Sequence, residues 1–268
     1  MVSSVLAPVQ QRGREALQRL GLPTRKQEAW RLTDLKRLEA LATLPEVSEI
    51  SDPSMPEVSD GVTRLVLGGQ RDPLDGVSLP EGVSPLTDAE LNRSLGQTLD
   101  HCGCAEAWPV ELNHAHSQHV LALRVCGKVP ALELVLASGV GLTATRVLLL
   151  LEDNAELDLL QVIPSGSSSS DGPCAHSHVM EAHLGQNARL RHGVLASGSG
   201  DASLMVHLAI EQEPSSHYGL TSVCRGWRFG RFEPRVLQLE GQATTGIHGL
   251  SLTTADEQFA THSSMRFG

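Results

Sequence analysis

Near the start of the chain, apolar side chains recur at helical spacing: Ala16, Leu17 and Leu20, then Trp30, Leu32, Leu35, Leu38 and Leu41. Gly21-Leu22-Pro23-Thr24 interrupts the series, so two short helices joined by a turn are predicted. Residues 45–60 hold three Pro, four Ser and five acidic residues with little periodicity and read as a connecting segment. Val62 to Leu67 is a short apolar strand closing at Gly68-Gly69. Thr87-Asp88-Ala89-Glu90 has the spacing of a capping box, and Leu91, Leu95 and Leu99 follow at steps of four, predicting a helix that runs to about Gly103. From Trp108 onward the texture turns to short β-type runs, and no helix is expected there. The predicted strands are Val120–Val125, Leu132–Leu136, Arg146–Leu151, Glu156–Ile163, His178–His183, Arg189–Leu195, Ser203–Ile210, Tyr218–Val223, Pro234–Leu239 and Thr244–Leu252.

These runs are joined by similar small turns. Glu152-Asp153-Asn154-Ala155-Glu156-Leu157 and Gly185-Gln186-Asn187-Ala188-Arg189-Leu190 lie 33 residues apart, and Glu240-Gly241-Gln242-Ala243 is a fainter copy. Strand, small turn and strand at a near-constant interval is what a β-solenoid needs, because each rung buries its inner face only against its neighbours. An antiparallel sandwich gives many short strands as well and stands as the second reading. Composition tilts toward the solenoid: 40% of the residues are hydrophobic but only 3% aromatic, so the core is built from Leu, Val, Ala and Ile. Such a narrow interior suits aliphatic stacks better than rings.

The 268 residues carry a net charge of −10, which argues against nonspecific binding to nucleic acid. Charge is uneven along the chain. Residues 1–44 carry 8 basic against 4 acidic side chains and residues 45–110 carry 3 against 12, so the first stretch reads as a separate unit. The longest aliphatic run, Val147–Leu151, is far short of the ~20 residues a membrane span requires. Five cysteines in irregular positions suggest reduced thiols rather than a secreted disulfide framework.

Histidines and cysteines supply the candidate metal ligands. His114-x-His116 and His176-x-His178 would each put two rings on one face of a strand, half of a metal site; the ordinary alternative is solvent-facing polar residues. His101-Cys102-x-Cys104 offers soft donors, with a spacer tighter than structural zinc uses and no second pair. Arg225-Gly-Trp227-Arg228-Phe229-Gly-Arg231-Phe232 and the residues to Arg235 gather four Arg and three aromatic rings, a composition that marks either a partner interface or a solenoid corner whose rings are covered by Arg stems. No nucleophile elbow, zinc-protease helix or Walker loop is present, so no catalytic residues are assigned and no ATP hydrolysis is expected of the chain.

Leu22-Pro23-Thr24-Arg25-Lys26-Gln27-Glu28-Ala29-Trp30-Arg31-Leu32-Thr33-Asp34-Leu35-Lys36 resembles the N-terminal signature of the SufD branch of the SufB/SufD family of iron-sulfur cluster assembly proteins. Leu65 to Gly69, Leu112-Asn113-His114-Ala115, Leu239-Glu240-Gly241 with Gly249-Leu250, and Thr261-His262 are similar to later family segments in the same order. The resemblance implies a mainly β chain: a small, mostly helical N-terminal region with one short strand over 1–107, then a right-handed parallel β-helix over 108–268. It implies a noncatalytic scaffold of the SUF complex that pairs with SufB and the ATPase SufC in cytoplasm or plastid stroma. No cofactor is held by the chain alone, and an iron-sulfur cluster is present only transiently in the complex. Family members are longer, so the β-helix is expected to be incomplete at its C-terminal end, without the family's Cys-Ser-His-Gly-Ala-Thr segment, and either to self-associate through that open edge or to be poorly soluble. Two other functions fit a solenoid: a metal-binding module built on the His-rich segments, and an enzyme acting on acidic polysaccharide, which would need a groove of carboxylates that the sequence does not display.

Overall fold

The computed structural model describes residues 5–47, 50, 55–68, 72–165 and 172–268. Gly69, the end of the predicted Val62–Gly69 run, lies outside the described residues, as does part of the expected 45–60 connector. The first elements are α1 (Leu6–Leu20), a 3₁₀ turn (Glu28–Trp30), α2 (Leu35–Ala42), β1 (Thr63–Leu67), β2 (Val83–Pro85), α3 (Asp88–Ser94), α4 (Gln97–His101) and α5 (Trp108–His116). Strands then follow without interruption: β3 (Leu121–Val125), β4 (Leu132–Leu136), β5 (Gly141–Leu151), β6 (Glu156–Pro164), β7 (Cys174–Leu184) and β8 (Arg189–Ser197). The last are β9 (Ser203–Gln212), β10 (His217–Arg225), β11 (Phe229–Gln238), β12 (Thr244–Leu252), β13 (Gln258–Thr261) and β14 (Ser264–Phe267).

The fold is mainly β, with parallel sheets. From β3 to β13 successive strands alternate between two sheets, and from β5 onward each pairs in parallel with the strand two before it. One sheet runs β1-β4-β6-β8-β10-β12; the other runs β2-β3-β5-β7-β9-β11-β13, with β14 also on β11. The antiparallel sandwich is therefore overturned: β2 with β3 is the one antiparallel pair among the described strands. Leu and Val from alternate positions of both sheets fill the space between them, including Leu134, Leu149, Leu157, Leu190, Leu208 and Leu220.

The turns repeat as their sequences do. Asn154 and Asn187 both adopt positive φ, 61° and 57°, and the Asn187 amide donates to Asn154 Oδ1 at 3.3 Å, stacking one corner on the next. The corner that sequence reading missed is Glu213-Pro214-Ser215-Ser216, where Ser215 takes the left-handed position. It carries no Asn and its interval differs. The aligned strand starts Glu156, Arg189, His217 and Thr244 are 33, 28 and 27 residues apart.

Helices cover the outer face of the sheet containing β5, β7, β9 and β11. The capping box forms, with Thr87 accepting from the Glu90 N–H and Glu90 accepting from the Thr87 N–H. The single helix expected from Thr87 to Gly103 is instead two, because Gly96 sits at φ 88° and its N–H donates to the buried Glu181 carboxylate on β7 at 2.9 Å. A second correction concerns Trp108–His116, which is helical rather than β. This short helix is buried along nearly its whole length, so it has no polar face to give a helical rhythm. Its neighbour α1 approaches so closely that a Cβ on Gly13 would lie 2.6 Å from the Ala115 nitrogen. Asn113 anchors α5 by donating to the Thr145 and Ser177 carbonyls of β5 and β7.

Candidate functional site

The two sheets enclose a polar chain within a largely aliphatic core. Thr145, Gln161, His176, His178, His192 and Tyr218 occupy inward positions of β5, β6, β7, β8 and β10, and all are buried. Thr145 Oγ1 lies 2.9 Å from both His176 Nε2 and His178 Nδ1. Gln161 Nε2 lies 3.0 Å from His178 Nε2, its Oε1 lies 3.0 Å from His192 Nε2, and His192 Nδ1 lies 3.1 Å from the Tyr218 hydroxyl.

The amide of Gln161 sets the sense of this chain. Its Nε2 also donates to Met180 Sδ at 3.4 Å, which fixes the nitrogen on the His178 side. His178 Nε2 therefore accepts, its Nδ1–H donates to Thr145, and the Thr145 hydroxyl donates to His176. On the other side His192 Nε2–H donates to Gln161 and the Tyr218 hydroxyl donates to His192 Nδ1. The inner members His192, Gln161, His178 and Thr145 each accept and donate in a single direction, between Tyr218, which donates, and His176, which accepts at Nε2 and whose Nδ1 has no partner among the described residues.

Burial keeps these rings neutral. It lowers His176 and His192 to about 3, and burial together with the two histidine neighbours holds His178 well below its ordinary value. Burial likewise raises the Tyr218 hydroxyl well above its ordinary value. The arrangement can orient side chains and pass hydrogen bonds between rungs, and it carries no charge at neutral pH. Sequence reading found His176 and His178 as a pair on one strand face; it missed Thr145, Gln161, His192 and Tyr218. A polar residue at an inward position of an alternating strand was the available signal.

The remaining candidate ligands are dispersed. Because Trp108–His116 is a helix, His114 and His116 do not share a face as strand neighbours would. His114 is buried against Glu111 at 3.0 Å and Arg12 at 3.1 Å, and burial, Arg146 and Arg12 push its pKa down. His116 contacts Glu46 at 2.9 Å. His101 is half exposed and sits 2.7 Å from Glu211. Cys102 and Cys104 are buried in the seam between α4, α5 and the sheet. Burial, then the Glu211 charge, pushes the Cys102 thiol up to about 12, and burial raises Cys104 as well, so both are protonated. Among the described residues no group of three or more His, Cys, Asp or Glu side chains is arranged to hold a metal ion.

The Arg and aromatic segment folds mostly inward. Trp227 and Phe232 enter the core between the sheets, while Phe229 faces the helices. Arg231 is buried, stacks 3.9 Å above the Trp30 ring, donates to the Ala29 carbonyl at 2.9 Å and pairs with Glu233. Glu233 also pairs with Arg235 at 2.8 Å. Arg228 bridges to Asp256, and Arg225 reaches solvent. The segment thus joins the N-terminal 3₁₀ turn to β11. Beside it a cleft of about 470 Å³ opens between Leu32, Phe259 and His262.

Residues 135–268 match the family described as SUF system FeS cluster assembly, SufBD core domain. The chain is also similar to an iron-sulfur cluster assembly SufBD family protein of Synechocystis sp., with 23% identity over 295 aligned residues. That alignment covers 98% of this chain and 63% of the Synechocystis protein, so the chain spans a little under two thirds of that relative's length.

Proposed function

The chain belongs to the SufB/SufD family of the SUF iron-sulfur cluster assembly system, and from that membership we propose that it is a noncatalytic scaffold on the SufD side of the family. The carrying observation is the family match across 135–268, half of the chain and most of the strand stack. The SufD assignment is supported by the Leu22–Lys36 segment, which the fold uses in a definite way. Trp30 supports Arg231, Asp34 caps α2, and Gln258 of β13 donates to the Leu32 carbonyl at 3.0 Å and accepts from the Asp34 N–H at 2.7 Å.

In this reading the alternating parallel strands form a right-handed β-helix, residues 1–107 form the mostly helical N-terminal region, which adds two short strands, β1 and β2, to the sheets where one was expected, and residues 108–268 form the helix body. The partners are SufB and the ATPase SufC. The cluster is cargo, built or passed on in the complex and not kept by this chain, and the setting is cytoplasm or plastid stroma. No helix among the described residues is long and apolar enough to cross a membrane. A rigid stack suits a scaffold because each rung is held by backbone ladders on both sides. The test is affinity capture of the tagged chain co-expressed with SufB and SufC, followed by size exclusion. A complex containing all three is expected; recovery of the chain without either partner would overturn the assignment.

A further inference from the structure

Helices cover one sheet from outside; among the described residues the other has a partly bare outer face. Register places Val66, Val135, Val162, Leu195, Val223 and Leu250 side by side, one from each strand from β1 to β12, as an aliphatic row across that face. The row begins under cover, with Val135 and Val162 buried, and emerges at Leu195 and Leu250, which are 41% and 51% exposed. Where it emerges, a groove of about 450 Å³ separates residues 55–62 from β6 and β8, floored by Leu160, Val162 and Leu195. Leu252 extends the apolar surface on β12.

Charge at the uncovered end has one sign. The outward positions of β8, β10 and β12 carry Arg189, Arg191, His217, Arg225 and His248 and no acidic residue, in a chain of net charge −10. Asp158 on β6 pairs with Arg191; Arg189 and Arg225 have no ion pair among the described residues. Exposed leucines flanked by arginines complement a segment that is apolar along one side and acidic along the other. The outward positions of β8, β10 and β12 carry no aromatic side chain, whereas interfacial membrane binding favours Trp and Phe beside basic residues.

We propose that this half of the face docks an amphipathic segment of a partner protein, with aliphatic side chains over Leu195, Val223 and Leu250 and carboxylates against Arg189, Arg191 and Arg225. The proposal stands apart from the family assignment. It is tested with a synthetic ~18-residue helix-forming peptide of Leu and Glu, its Leu at i, i+3, i+4 and i+7 spacing, and a Leu and Lys counterpart. Fluorescence anisotropy with the full chain should detect the Glu peptide and not the Lys peptide. Leu195→Asp with Leu250→Asp should weaken binding at least about tenfold, near 1.4 kcal/mol, with an unchanged circular dichroism spectrum. Arg191→Glu with Arg225→Glu should abolish the preference for Glu over Lys. Three results would overturn it: equal binding of both peptides, binding to phosphatidylserine vesicles without peptide binding, or a self-association that the leucine substitutions abolish.

Discussion

Gln161 is the residue on which the interior polar chain turns. Its amide lies between two histidines that must present opposite functions, an acceptor at His178 Nε2 and a donor at His192 Nε2. Replacing it with leucine keeps the volume but orphans both ring nitrogens in a site where water does not reach them. An unsatisfied buried polar group costs about 1–3 kcal/mol, so Gln161→Leu should lose ~2–5 kcal/mol. Urea unfolding of the two proteins measures this, and a loss below ~1 kcal/mol would mean that the chain of hydrogen bonds contributes little to stability. None of this is visible in a single strand. Thr145 meets His178 because β5 and β7 pair in one register, and Gln161 meets His192 across β6 and β8. Residues 17 to 33 positions apart become neighbours only once the turns have set that register.

At the scale of elements, α1 and α5 test how close packing outweighs propensity. Gly13→Ala would raise intrinsic helix stability by about 0.5–1 kcal/mol. Its new methyl would lie 2.6 Å from the Ala115 nitrogen and 2.7 Å from His114 Cβ, and overpacking of that kind costs about 1–3 kcal/mol. A net destabilisation is expected, read as a lower urea midpoint and faster proteolytic cleavage of α1; a stabilised variant would show that α1 shifts freely on α5. The same pair explains where sequence reading succeeds and fails. Alternating runs are legible, and Leu132–Leu136 and Thr244–Leu252 have the predicted limits. Strand β5 begins at Gly141 and β11 at Phe229, earlier than predicted, because their first residues face the helical cover and break the inward alternation. The α5 helix is hidden for the opposite reason, being apolar or partnered on every side. β13 and β14, four residues each, are too short to announce themselves.

Across the whole molecule, the buried histidines make stability depend on pH. His176 and His192 titrate at about 3 and His207 at about 4 in the folded chain, all lowered first by burial, against ~6.5 when unfolded. Above pH 6.5 both states are neutral and the contribution is complete. As pH falls, the unfolded chain takes up protons that the core refuses, so stability declines toward the folded values. For a histidine held near 3 the loss at pH 5 is about 2 kcal/mol. His183, raised mainly by its hydrogen bond with Glu211, works in the other direction but is one ring against several. The urea midpoint should therefore drop markedly between pH 7 and pH 5, and an unchanged midpoint would mean that these rings are not neutral and enclosed.

The interior chain of hydrogen bonds also bears on how the stack would respond to force. Strands held only by neighbours peel in sequence when load is applied at one edge. Peeling from the β12–β14 edge breaks ladder bonds and local side-chain hydrogen bonds, such as those of Thr245 with Gln212 and Gln238, before it reaches β10. There Tyr218 is tied through His192, Gln161, His178 and Thr145 to β8, β6, β7 and β5. The molecule is in this sense a zipper with a stop sewn into it, yielding at one end while the middle holds.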